Sequence, residues 1–339
     1  MSDLIFLTGA SGVVGTELVP RLPQDQLLLG RHRARPGGTA RQIAIDVTRP
    51  KLGLTDPEFR QLADEVTCII HAAAITEMGG EADGLTETNI DGVRHMLELA
   101  EAAQVPFHYV STAYCSEDYG PLRPVESPYV ESKRTAERLV KESGQDWTII
   151  KPSIVCGHSE TGVTASFQGF HLFIGAIIKG KLPIIPLDPE ALCDFVPCDL
   201  IARGIEAILA TPEYGRTYWL TGGATSISIK DMLAFGQPFA KEIDLDLNRI
   251  PIVAPDSDEL TRMMQALSAL PPKLRDRFET MLELSKVMAT ERPFPSDYAN
   301  LFDDNPITPD LLRRTLGANI RYWGQENGMA FQTPADGGK

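Results

Sequence analysis

Leu4-Ile5-Phe6-Leu7-Thr8-Gly9-Ala10-Ser11-Gly12-Val13-Val14-Gly15 is the stretch whose reading decides the fold. Its apolar run, Leu4 to Leu7, predicts a buried parallel strand. Thr8 to Gly12 predicts a turn, and Val13 onward a helix that ends near Pro20. A strand, a glycine turn and a helix in that order place a phosphate at the helix N-terminus, where free backbone N–H groups and the helix dipole favour negative charge. Gly9 permits the tight turn, Gly12 lets a pyrophosphate approach the backbone, and Gly15 lets the helix pack closely on the strand. Thr8, Gly9, Ser11, Gly12, Val13, Val14 and Gly15 are therefore candidate cofactor contacts. The spacing is G-x-x-G-x-x-G rather than G-x-G-x-x-G. Taken alone, it also fits a glycine-rich turn in another α/β protein.

The chain beyond this stretch alternates strands and helices. Gln26 to Gly30 reads as a second strand, followed by Arg31-His32-Arg33-Ala34-Arg35. An acidic residue at the end of that strand would bind a free ribose 2′-hydroxyl, whereas arginine accommodates a 2′-phosphate. Three arginines and no acid favour NADP(H), with Arg31 first and Arg33 second. A solvated basic loop is the alternative. Arg41 to Val47 reads as the third strand, with Asp46 and Val47 expected near the adenine. Pro57 to Ala63 reads as a short helix and Val66 to Ile70 as the fourth strand. It ends in His71-Ala72-Ala73-Ala74, where small side chains leave room for a cofactor, so His71, Ala72 and Ala73 join the candidates. A long helix from Glu81 to Gln104 and a fifth strand from Val105 to Val110 follow. The alternation implies an α/β, doubly wound (Rossmann-like) parallel sheet with ligands at the carboxyl ends of its strands.

After the fifth strand come Ser111-Thr112-Ala113-Tyr114, and then Tyr129-Val130-Glu131-Ser132-Lys133 at the start of a helix running to about Lys141. Tyr129 and Lys133 are four residues apart and share a helix face. An ammonium beside a phenol favours phenolate and draws the tyrosine pKa toward neutrality, making Tyr129 a usable general acid. The hydroxyl of Thr112, at a strand end, can share a substrate oxygen, and the pair would stabilise charge that develops on a carbonyl as hydride arrives. Lys133 could also hold the nicotinamide ribose. A lone Y-x-x-x-K is common on helix surfaces. Its position after the glycine turn and the hydroxyl-bearing strand end is what gives it weight here.

The sixth strand, Trp147 to Lys151, runs into Pro152, Ser153 and Ile154 and then a loop containing His158. Thr164 to Lys179 reads as an apolar helix, Asp199 to Ala210 as an amphipathic one, and 217–221 as a strand that completes the sheet. From Ser228 onward the pattern is helical, including Lys273 to Met288, with a helix start at Thr308-Pro309 and a frayed tail from Gln325. Methionines in this region either line an acyl channel or pack ordinarily between helices. The division expected is residues 1–155 for dinucleotide binding and 156–339 mainly for a smaller, largely helical substrate lobe. A net charge of −14 argues against nucleic-acid partners. The most apolar stretch is too short to span a bilayer, and there is no signal peptide. Five scattered cysteines without zinc spacing suit reduced thiols in the cytoplasm, with no metal site.

These segments resemble the extended short-chain dehydrogenases/reductases. Within that superfamily they resemble the branch of fatty acyl-CoA reductases, male-sterility-type proteins and thioester reductase domains. Asp46-Val47-Thr48 with Leu52-Gly53-Leu54, Ile69-Ile70-His71-Ala72-Ala73-Ala74, Asn89-Ile90-Asp91-Gly92, Val110-Ser111-Thr112-Ala113-Tyr114, Lys151-Pro152-Ser153-Ile154-Val155 and Asp194-Phe195-Val196-Pro197-Cys198-Asp199 carry the likeness, over roughly residues 4 to 222. The resemblance implies that Thr112 polarises a carbonyl and Tyr129 donates the proton. It implies that Lys133 tunes the tyrosine and binds ribose, and that Asn89 supports the active-site backbone. Pro152, Ser153 and Ile154 would border the nicotinamide, and helices at 85–103 and 130–143 could form a homodimer. Lys151 stands where the branch often has arginine. The implied activity is NADPH-dependent reduction of an acyl thioester, on CoA or a carrier-protein arm, to aldehyde or alcohol. A ketone, sterol or nucleotide-sugar oxidoreductase or epimerase is the alternative, and a regulatory NADP-binding protein with a vestigial site is a third reading.

Overall fold

The computed structural model describes residues 4–32, 39–76, 84–116, 127–180, 184–254, 257–267, 275 and 289–329. The opening strand β1 (Ile5–Thr8) leads through the glycine turn into α1 (Val13–Leu18). β2 (Leu27–Arg31), β3 (Arg41–Ala44), α2 (Asp56–Glu65), β4 (Cys68–His71), α3 (Gly92–Ala103), β5 (Phe107–Val110), α4 (Pro128–Glu142) and β6 (Trp147–Pro152) follow. With β10 (Arg216–Leu220), these strands make a seven-stranded sheet in the order β10-β6-β5-β4-β1-β2-β3. Every pairing in it is parallel. The order reverses between β1 and β4, the switch point where a doubly wound sheet opens a crevice for ligand.

Both faces of the sheet are covered, which is why its strands are nearly continuous apolar runs. Phe6, Leu28, Ile69, Phe107, Tyr109 and Ile149 point to one side, among residues of α2, α3 and α4. Leu7, Leu29, Ile70 and Ile150 point to the other, where α1 packs with α6 (Cys198–Ala210). The two sets alternate along each strand, as the period of two requires.

The chain leaves the sheet after β6 through β7 (Ile154–Cys156), which pairs with β9 (Phe195–Pro197) in a small parallel ribbon. α5 (Gly169–Ile178) lies between them in sequence, and β8 (Leu192–Cys193) pairs antiparallel with β11 (Ile227–Ser228) and β12 (Ala289–Thr290). α7 (Ile229–Lys241), α8 (Asp258–Leu267) and α9 (Pro309–Glu326) complete the helical lobe. The Thr308 hydroxyl caps α9 by accepting from the Leu311 amide at 3.2 Å, with Pro309 at the first helical position.

Some expected elements differ from those observed. The long helix expected over 81–104 is interrupted: Thr86–Asp91 is a π-helical turn, and the regular helix starts at Gly92. The apolar helix begins at Gly169 rather than Thr164. β3 stops at Ala44, because Asp46 folds back on itself and accepts from the Thr48 amide and hydroxyl at 3.0 and 2.7 Å. α9 runs to Glu326, beyond the expected fraying point, because Trp323 is buried against the lobe. The helix expected over 273–288 falls outside the described residues, apart from Arg275. Among the described residues no helix is long and apolar enough to cross a membrane.

Candidate active site

The glycine turn sits at the carboxyl end of β1, at the switch point. Gly9 has φ +78°, and a Cβ there would lie 2.5 Å from the Ala72 carbonyl carbon. A Cβ on Gly15 would lie 2.2 Å from the Gly9 carbonyl oxygen, so α1 packs on the turn at a distance open only to glycine. The Gly12 amide donates to Gly9 O at 2.9 Å. Gly12 is also the N-cap of α1, and no side chain caps that end. The first amides of the helix are therefore left for a ligand, and this is the arrangement a pyrophosphate needs. At the end of β2, Arg31 is half-buried and its Nε is buried without a partner. These residues fit the pyrophosphate of a dinucleotide. Arg33 lies outside the described residues.

His71 requires a correction. Its side chain is fully buried, with Nδ1 2.7 Å from the Thr8 hydroxyl and the ring stacked on Tyr109 at 6.0 Å. Burial, reinforced by the Lys133 charge, holds its pKa down at about 3. It braces the turn from beneath through Thr8 and does not present a side chain to a nucleotide. The backbone of Ala72 and Ala73, the next residues of that strand end, lies against Gly9.

Thr112, Tyr129 and Lys133 come together at the carboxyl end of β5. Pro128 opens α4 with Ser127 as N-cap, so Tyr129 sits in the first turn of the helix and Lys133 one turn later. A hydrogen bond from the Thr112 side chain reaches Tyr129. Burial nevertheless pushes the Tyr129 phenol well above its usual range, with the neighbouring Cys115 adding to the rise and Thr112 opposing it. Lys133 is 2 % exposed; its Nζ donates to the Val110 carbonyl at 2.8 Å and lies 4.4 Å over the Tyr109 ring. Burial lowers its pKa to about 8, with Cys115 and Glu137 opposing. The expected pull of Tyr129 toward neutrality is thus absent here: burial raises the phenol, and the Lys133 ammonium is turned to the Val110 carbonyl and the Tyr109 ring.

Asn89 is buried in the π-helical turn. It accepts from the Ile75 amide at 2.9 Å, and its Nδ2 donates to Ile75 O at 2.9 Å and to the Ser132 hydroxyl at 3.0 Å. Ser132 in turn donates to Tyr129 O at 2.7 Å. Asn89 therefore ties the chain after β4 to the first turn of α4. A π turn at such a position opens the helix so that one side chain can reach across. Ile154 lies on β7, and its amide donates to Asp194 O at 3.2 Å. Asp194 is fully buried, accepting from the Gly222 and Gly223 amides and the Ser226 hydroxyl at 2.7, 3.2 and 2.9 Å.

One buried charged residue here went unread in the sequence. Glu137 is one turn beyond Lys133, and its Oε2 is 2.9 Å from Lys151 Nζ. Its Oε1 accepts from the Ser111 hydroxyl at 2.5 Å and the Cys115 thiol at 2.9 Å. The signal available was spacing: Glu137 continues the face that carries Tyr129 and Lys133.

Comparison with known proteins places this geometry. Residues 39–205 match the sequence profile of the family described as Male sterility protein, an NAD-binding domain. That match covers just under half of the chain. The match marks an NAD-binding domain. The domain is 28% identical over 217 residues to a ceramide reductase of Caulobacter vibrioides, covering 62% of each chain. The terminal R domain of the myxalamid PKS-NRPS biosynthetic pathway superposes with TM-score 0.74 at 21% identity, over 96% of this chain and 91% of that one. The reductase (R) domain of a Mycobacterium tuberculosis nonribosomal peptide synthetase superposes with TM-score 0.70 at 20% identity, over 97% and 93%. This chain spans 6% of the length of the fungal synthetases that it also matches.

Proposed function

We propose that the chain is an NADPH-dependent reductase of an acyl thioester, held on CoA or a carrier-protein arm, that releases an aldehyde or alcohol. The match to the male-sterility-type NAD-binding domain supports the reductase class. The likeness to a ceramide reductase and to synthetase reductase domains points to acyl substrates. A further support is an apolar cavity in the helical lobe, lined among others by Phe173, Ile177, Met232, Leu247, Leu316 and Ile320, which suits an alkyl chain. The observation that carries the reading is the junction of Thr112, Tyr129 and Lys133 at the end of β5, close to an uncapped helix start.

In this reading the turn at Gly9–Gly15 seats the pyrophosphate, and the Arg31 guanidinium meets the 2′-phosphate. The bound cofactor supplies hydride. Thr112 holds the carbonyl oxygen of the substrate, and Tyr129 gives its proton to that oxygen as negative charge forms on it. Lys133 lies one turn from the tyrosinate left behind and stabilises it. Collapse of the resulting hemithioacetal frees the thiol and leaves the aldehyde.

The test is a panel of acyl-CoA and acyl-carrier thioesters, with NADPH consumption and aldehyde as readouts, run beside NADH. NADPH oxidation with aldehyde release is expected. An inactive panel together with tightly retained NAD would overturn the reading and favour a sugar-nucleotide enzyme.

A further inference from the structure

We infer that Glu137 is a positioning residue for the active site: its buried carboxylate fastens α4 to the end of β5 and supplies the counter-charge for the Lys133 ammonium. This rests on the reading of Thr112, Tyr129 and Lys133 given above.

The geometry is a double fastening. Lys133 Nζ donates to the carbonyl of Val110, and Glu137 accepts from the hydroxyl of Ser111, the next residue. Two successive residues of the strand end are thus gripped by two residues one turn apart on α4. Thr112 follows directly, so the grip fixes the hydroxyl of Thr112 relative to the phenol of Tyr129. The thiol of Cys115, on the turn that follows Thr112, donates to the same carboxylate oxygen. From the other side Lys151 on β6 pairs with Glu137, donates to the Ser116 hydroxyl at 2.6 Å and lies 5.2 Å over the Trp219 ring. Glu137 therefore joins α4, β5, the following turn and β6. A carboxylate that served only packing would not need four donors from three other segments and its own helix, the last being Lys141 at 3.9 Å.

The groups that face Lys133 fix the sign of its electrostatics. On β5 Tyr109 is neutral, its phenol pushed up by burial. On β4 His71 is neutral down to about 3. The Cys115 thiol is pushed up to about 11 by burial and by Glu137 itself. Tyr129 is raised by burial. Glu137 carries the negative charge, and Lys151 and Lys141 carry positive charges beside it. Removing the Glu137 charge leaves Lys133 in a buried site with an unneutralised Lys151 nearby, which disfavours its ammonium further.

The experiment compares wild type with Glu137→Gln, which keeps the shape and removes the charge. Lysine side chains labelled at Cε are titrated by NMR, with Lys133 assigned by loss of its signal in Lys133→Arg. The pH profile of thioester reduction is measured alongside. The Lys133 midpoint is expected to fall by about one pH unit, and the alkaline limb of kcat/KM to move down with it. An unmoved midpoint, even with a uniform loss of rate, overturns the inference. A shifted midpoint in a protein that reduces no thioester leaves it standing and sinks the substrate reading instead. If Glu137→Gln does not fold, Glu137→Gln with Lys151→Met removes both interior charges, and a fall in the Lys133 midpoint is still required, smaller than in the single variant because Lys151 no longer opposes the ammonium.

Discussion

Tyr129 keeps its proton because of where it sits. Burial raises its pKa, so at neutral pH it is a phenol, and a phenol beside a carbonyl is an acid rather than a base. Tyr129→Phe retains the ring and the packing but removes the proton, and kcat for thioester reduction should fall by about 10²–10⁴-fold with NADPH affinity unchanged. Steady-state rates and a cofactor titration check this, and a variant with near-normal kcat would remove Tyr129 from the chemistry. Three other buried residues write a pH dependence into stability. His71 has its pKa lowered to about 3, and His108 and His171 to about 4, in each case chiefly by burial. The folded chain keeps them neutral where the unfolded chain, near 6.5, takes up protons. Their contribution is complete above that value and is lost as pH falls through it toward the folded values. Urea unfolding should show a loss of roughly 1 kcal/mol per histidine between about pH 7 and about pH 5.5. Equal stability at the two values would contradict this.

At the scale of elements, what was legible in the sequence was whatever depends on local pattern. The apolar runs at Leu4–Leu7 and Leu27–Leu29 gave the strands. Gly9, Gly12 and Gly15 gave the turn, and Thr308-Pro309 gave a helix start that the fold places as expected. Tyr129 and Lys133 were readable because four residues on a helix is a local distance. What could not be read depends on contacts far apart in the chain. The break of the long helix at Thr86–Asp91 follows from the reach of Asn89 to Ile75 and Ser132, fourteen and forty-three positions away. Glu137 and Lys151 look like surface charges until the fold buries both. His71 looked like a strand-end contact because sequence does not say on which side of the sheet a side chain is sealed. Gly15 tests the local part. Gly15→Ala would place a methyl 2.2 Å from Gly9 O, and the turn must open to take it. NADPH binding, followed by fluorescence titration, should weaken by about tenfold or more, which corresponds to ~1.4 kcal/mol. An unchanged Kd would mean that the turn does not seat the cofactor.

At the scale of the molecule, the helical lobe is held together by polar ties between residues up to 162 positions apart. Asn319 on α9 accepts from the Gly157 amide at 2.7 Å and lies 2.8 Å from His171 Nε2 on α5. The loop that leaves β7 is thereby fixed to the last helix, and Ser159 in the same loop is fixed to Asp199 at the start of α6 by its amide at 2.8 Å and its hydroxyl at 2.7 Å. Asn319→Ala strands a buried amide and a buried imidazole, and denaturant melts should show a loss of about 2–4 kcal/mol. A loss below about 1 kcal/mol would mean that water takes over the role. A last feature bears on how copies of this chain meet. Along the outer side of β10, Asp297 donates its amide to Trp219 O at 2.9 Å and accepts the Trp219 amide at 2.8 Å, while Ser296 donates to Thr221 O at 2.9 Å. A passing segment thus occupies that rim much as an eighth ribbon would. Head-to-head stacking by shared hydrogen-bond ladders is closed off along this rim, so a second copy meeting it here has to approach through side chains instead.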